Sequence, residues 1–153
     1  MSIASKPGFM ALALAEAERA GERGEVPVGA VVVQSGTGSV LARAGNRVEE
    51  LCDPTAHAEM LALRAAAERQ GAPRLTDCDL YVSLEPCAMC AAAISFARVR
   101  RLYFGASDPK GGGVEHGPRI FTQPTCHHRP EVYGGIDEAR AAAFLKRFFQ
   151  DRR

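Results

Sequence analysis

Apolar positions in this chain recur first with a helical period, then with an extended one, and switch between the two several more times. From residue 7 to 23, Phe9, Met10, Ala13, Leu14 and Ala17 form one stripe, with Pro7 suited to a first helical position and Gly21 and Gly24 ending the run, which predicts an amphipathic helix packed on a sheet. Residues 28–34 are a short β-rich apolar run and 40–45 a second one, joined by Ser35 to Ser39 with its two glycines, which reads as a hairpin. No period is visible from Asn46 to Thr55. An alanine-rich helix follows over 56–70, closed by Gly71 and Pro73. A strand at 79–84, an apolar helix at 88–97 and a strand at 100–105 come in the order of a βαβ unit, which implies parallel neighbours with helices covering the sheet.

From Ala106 to Thr125 the pattern dissolves into glycine and proline, including Gly111-Gly112-Gly113. That length is more than a mere connection needs, leaving two readings: a substrate loop or a disordered insertion. A short strand at 131–133 and a helix at 137–150 complete the chain, with Asp137 as N-cap and Phe144, Leu145 and Phe148 as the apolar face. The expected fold class is α/β, with a mixed sheet of about five strands.

Composition narrows the class. At 153 residues, 46% hydrophobic and 24% charged, residues 1–153 are expected to form a single domain. The net charge of +1 hides an uneven distribution: eight basic and twelve acidic side chains up to residue 97, eleven and six after it. A polyanion would prefer the later part, although surplus arginines also serve solubility. Five cysteines, two of them at a metal-like spacing, argue against a secreted disulfide framework and for a reducing compartment. The run Phe9 to Ala15 after Lys6 imitates a signal peptide, but Glu16, Glu18 and Arg19 follow in helical register, and no apolar run approaches bilayer length. A soluble cytoplasmic protein with no membrane partner is expected.

The chemistry concentrates in Glu85-Pro86-Cys87-Ala88-Met89-Cys90. Cysteines three apart in the first turn of a helix share a face, and the positive end of the helix eases the cost of two thiolates. A zinc ion would need at least one more ligand, for which His57 in Thr55-Ala56-His57-Ala58-Glu59 is the best candidate. Three protein ligands leave one position for a water with a pKa lowered towards about 7, while a nearby carboxylate, Glu59, could shuttle protons. Residues two apart on an ideal helix point in nearly opposite directions, so spacing alone does not place Glu59 beside the metal. Two quieter readings stay open here: a closed zinc site completed by Cys52, Cys78 or Cys126, and a Cys87–Cys90 redox pair. His127 and His128 are either surface loop residues or RNA contacts. His116 receives no assignment.

His57-x-Glu59 followed by Pro86-Cys87-x-x-Cys90 resembles the signature of the zinc-dependent nucleobase deaminases. Val26-Pro27-Val28-Gly29-Ala30-Val31-Val32, Gly45-Asn46-Arg47, Asp53-Pro54-Thr55 and Leu80-Tyr81-Val82-Ser83-Leu84 extend the resemblance, over nearly the whole chain, to the bacterial tRNA-specific adenosine deaminases of the cytidine and deoxycytidylate deaminase superfamily. It implies a three-layer α/β/α fold, one zinc held by His57, Cys87 and Cys90, Glu59 as proton shuttle, a homodimer, and conversion of the wobble adenosine of a tRNA anticodon stem-loop to inosine. It further implies that Asn46 hydrogen-bonds the target base and that Asp108, Lys110, Phe149, Arg152 and Arg153 meet neighbouring nucleotides and phosphates. The resemblance is weakest between Gly111 and Cys126. A guanine or cytosine deaminase would use the same zinc and glutamate, and a zinc-stabilised binding module would use the zinc alone.

Overall fold

The computed structural model describes residues 8–152; Pro7, expected at a first helical position, and Arg153, expected to meet phosphate, lie outside the described residues. In chain order the elements are α1 (Gly8–Glu22), β1 (Gly29–Gln34), β2 (Val40–Gly45), α2 (Val48–Leu51), α3 (Ala58–Gln70), β3 (Cys78–Leu84), α4 (Ala88–Ala97), β4 (Arg101–Ala106), β5 (Glu131–Tyr133) and α5 (Glu138–Asp151). The strands form one sheet in the order β2-β1-β3-β4-β5. β1 runs antiparallel to both β2 and β3, whereas β3, β4 and β5 are parallel, so the sheet is mixed as expected.

Alternation along the strands divides the core in two. Ala30, Val32, Leu80, Val82, Leu102 and Phe104 point to one face and pack with Ala62 and Ala66 of α3 and Ala91 and Ile94 of α4. Val31 and Val33 point to the other face, against Met10, Ala13 and Leu14 of α1 and Ala141 of α5. The result is three layers with helices on both faces. The alanines of α1 let it press directly on the sheet: a Cβ on Gly29 would fall 2.5 Å from the Ala17 nitrogen, so only glycine fits there. On the same face the rings of Tyr81 and Tyr103 stack with centroids 4.4 Å apart, Tyr133 follows at 5.2 Å, and Phe9 leans on Tyr81 at 5.4 Å.

Three local expectations change. The segment after Asn46 contains α2, which has no buried residue and hence no apolar period to read. Asp137 stands at the N-cap of α5 but has φ 54° and makes no capping bond with its side chain. The glycine-rich stretch after Ala106 is a packed loop rather than a disordered insertion: Val114 is 7% exposed and Phe121, in a short 3₁₀ turn, 5%. Among the described residues, no helix is long and apolar enough to cross a membrane.

Candidate active site

The site lies where the parallel strands β3 and β4 end, the place at which open α/β sheets leave a crevice between diverging loops. Leaving β3, the chain passes Glu85 and Pro86 and reaches Cys87, which has extended backbone (φ −72°, ψ 176°) at the N-cap position of α4. Cys90 follows one turn into the helix and is wholly buried. His57 likewise precedes α3 in extended conformation, with φ −72° and ψ 151°. That detail resolves the spacing problem. Because His57 is not yet helical, the 100° rotation per residue does not separate it from Glu59, and both side chains line one cavity of about 680 Å³.

The His57 Nδ1 atom is 3.6 Å from the Cys87 sulfur and 3.5 Å from that of Cys90. With zinc–nitrogen bonds of about 2.0–2.1 Å and zinc–sulfur bonds of about 2.3 Å, tetrahedral angles put nitrogen and sulfur roughly 3.6 Å apart, so the three side chains fit a zinc ion without rearrangement. Cys52, Cys78 and Cys126 are elsewhere: Cys52 is exposed beside the Glu49 carbonyl, Cys78 is buried near Gln70, and Cys126 contacts Ser95. Among the described residues the metal-holding group is confined to His57, Cys87 and Cys90, which removes the closed-site reading.

The proton affinities of the three ligand groups are linked through their mutual hydrogen bonds. Hydrogen bonding from Cys90 and His57 pulls the Cys87 thiol down to about 4, and the same bond to Cys87 raises His57. Cys90 is pushed up by its bond to Cys87 and by burial, so the three groups share protons that a metal would displace. Glu59 is 4% exposed, and burial pushes its carboxyl up to about 7, where it can both accept and return a proton.

Around this centre the cavity wall mixes Val26, Val28, Val48 and Leu84 with Asn46 and Asp108. Asn46 is 8% exposed, and its Oδ1 accepts the Ala58 N–H at 2.7 Å, which leaves the NH2 end as the donor it can offer a ligand. Of the other sequence-expected residues, Lys110, Phe149 and Arg152 do not line the cavity; all three are exposed. Arg152 instead stacks 3.7 Å over the ring of Phe148, and it is Phe148, read from the sequence as core, that reaches the cavity. His128 donates to the Val99 carbonyl at 2.6 Å, the plainer of its two readings, whereas His127 is exposed in a separate groove with Phe96.

Sequence reasoning missed two buried carboxylates in the wall. Glu25, 2% exposed, accepts the N–H groups of Glu49 and Glu50 at 3.0 and 2.9 Å and so holds α2 against the cavity. Glu85, 1% exposed, does the same for the loop after β4. The available signal was an acidic residue flanked by apolar or proline neighbours, which is costly unless its oxygens are satisfied.

The model of the cytidine and deoxycytidylate deaminase zinc-binding region matches residues 4–106. The tRNA-specific adenosine deaminase of Agrobacterium fabrum is 60% identical over 151 residues, 99% of this chain and 98% of that protein. A solved structure from work on A-to-I editing by tRNA:A34 deaminases at the wobble position superposes with a TM-score of 0.88 at 61% identity, over 92% of this chain and all of the other. Guanine deaminase from Bacillus subtilis superposes with a TM-score of 0.65 at 30% identity, over 99% and 94% of the two chains.

Proposed function

The chain belongs to the cytidine and deoxycytidylate deaminase family, and from that premise we propose that it hydrolyses the wobble adenosine of a tRNA anticodon loop to inosine, releasing ammonia. The reading is carried by one observation: a zinc-fitting His57–Cys87–Cys90 group opens into the same cavity as a buried glutamate and an oriented asparagine. Residues 1–153 then act as one nucleoside deaminase domain, supported by the single sheet and the relative matched over 151 residues.

His57, Cys87 and Cys90 would hold the zinc, which when bound supplies an activated water at neutral pH. Glu59 takes up the first proton that the attacking water gives up and delivers it to the purine ring nitrogen, then takes the second, from the new hydroxyl on the purine carbon, and delivers it to the departing amine, which leaves as ammonia. Its burial keeps the carboxylate from being levelled by solvent. Asn46 offers its NH2 to an acceptor on the base, and the valine walls exclude water from the ring. A single-stranded loop suits this cavity because its base can enter without breaking a duplex.

The deciding experiment incubates the protein with an anticodon stem-loop carrying adenosine at the wobble position, beside free guanine and free cytosine. Inosine in the stem-loop is expected. A stem-loop left unedited while a free base turns over would replace this reading with that of the guanine deaminase relative.

Exposed Lys110 and Arg152 beside the cavity support phosphate contact; Asp108 in the wall and exposed Phe149 are proposed to meet neighbouring nucleotides, and Arg153 to extend the basic tail. Substituting both Lys110 and Arg152 by alanine is expected to weaken stem-loop binding and flatten its salt dependence by roughly 0.7 in log–log slope per lost contact. Filter binding at several salt concentrations measures this, and an unchanged slope would take both residues out of the interface.

A second copy of the chain is the proposed partner of α4. That helix carries no charged side chain, and its Phe96 is 75% exposed. Sedimentation should show a dimer, and Phe96→Asp a monomer; a wild-type monomer would reject the homodimer. Free cysteines at all five positions and a tRNA substrate support a cytoplasmic location.

A further inference from the structure

His116 has no part in the chemistry above, yet it is tied to a buried carboxylate, Glu85, whose two oxygens accept five hydrogen bonds. The Glu85 Oε1 atom accepts the Asp108 N–H at 3.0 Å and the His116 Nδ1–H at 2.7 Å. Its Oε2 atom accepts the N–H groups of Val114, Glu115 and His116 at 3.2, 2.9 and 3.1 Å. To donate, the imidazole must carry its proton on Nδ1. One carboxylate thus gathers both ends of the segment 108–116, which contributes Asp108 and Gly111 to the cavity wall.

The glycines of this segment are explained by the same arrangement. A Cβ on Gly112 would fall on the Glu85 carboxylate, and one on Gly113 would lie 2.5 Å from the Ala88 nitrogen. The Gly113 N–H donates to the Pro86 carbonyl at 2.8 Å, joining the loop to the turn that enters α4. Since Glu85 also continues the β3–β4 pairing through its own N–H to the Ala106 carbonyl at 2.8 Å, the loop is anchored to the sheet rather than to solvent.

We infer that Glu85 and His116 are positioning residues that fix Asp108 and the 108–116 wall for entry of the RNA loop, acting on substrate binding and not on the hydrolytic step. The inference rests on the proposed function for its substrate. Within the pair the two members differ in what their loss removes. Glu85 is the floor of the loop; its removal would strand four backbone N–H groups. His116 has a side chain 34% exposed and contributes one charge-assisted bond, so it can be removed without opening the core.

The test is therefore made on His116 in the zinc-loaded protein. His116→Ala should raise KM for the stem-loop by about three- to tenfold while kcat stays within about twofold and zinc content is unchanged. His116→Asn, whose amide can occupy the place of the Nδ1–H, should restore KM. Amide exchange at Asp108 and Val114 to His116 should quicken in the alanine variant and slow again in the asparagine variant. A fall in kcat at constant KM would mean loss of folded enzyme and overturn the inference, as would unchanged exchange at those amides. If the wild-type protein leaves the stem-loop unedited, the proposed function fails, and the exchange measurement alone still decides whether His116 holds the loop.

Discussion

Glu59→Gln is expected to keep one zinc per chain and to lose at least about 10²-fold in stem-loop turnover. The substitution preserves the shape and buried position of the side chain but removes the carboxylate beside the His57–Cys87–Cys90 group that can carry a proton in both directions. Glu59 is not needed to hold the metal, since His57, Cys87 and Cys90 form that group without it. Zinc analysis and single-turnover kinetics on the same sample separate the two roles. Near-normal turnover in a zinc-replete variant would remove Glu59 from the mechanism.

Cys90→Ala should have the larger effect on the metal itself, with zinc retention falling below about a tenth of the wild-type level and inosine formation falling to background. Cys90 is wholly buried one turn into α4, and among the described residues no further His, Cys, Asp or Glu joins the ligand group in its place. The sheet does not depend on it, so far-ultraviolet circular dichroism should change little. Cys52→Ala, at an exposed position outside the metal group, should alter neither zinc nor turnover. Full zinc in the Cys90 variant would exclude Cys90 as a ligand.

How far the sequence reached depended on whether the forces at each place were local. The strands and the long helices were legible because burial imposes a period on neighbouring residues; β1 shows five buried positions in a row, as a central strand should. The metal ligands were legible because their spacing is short and each group opens a helix. α2 was not, since what holds it is the Glu25 carboxylate, placed more than twenty residues earlier. The loop after β4 misled in a different way: three successive glycines look like freedom, whereas two of them mark where Glu85 and α4 press closest. Asn46 could be singled out only through resemblance, because the bond that orients its amide closes across the start of α3. The conformation of His57 that brings Glu59 round to the metal is likewise a backbone fact, which no count of residues along a helix would supply.

The tyrosine column on the sheet has a practical consequence. The chain has no tryptophan and only three tyrosines, and all three stand in that column on β3, β4 and β5. The tyrosine emission of the protein therefore comes from one column of rings that ends on β5, which is paired along only three residues. Melting followed by that light reports the peeling of β5 and the separation of the stacked rings. No tyrosine lines the cavity that holds the metal ligands, so the optical melting curve follows the sheet and zinc release is read by a separate measurement.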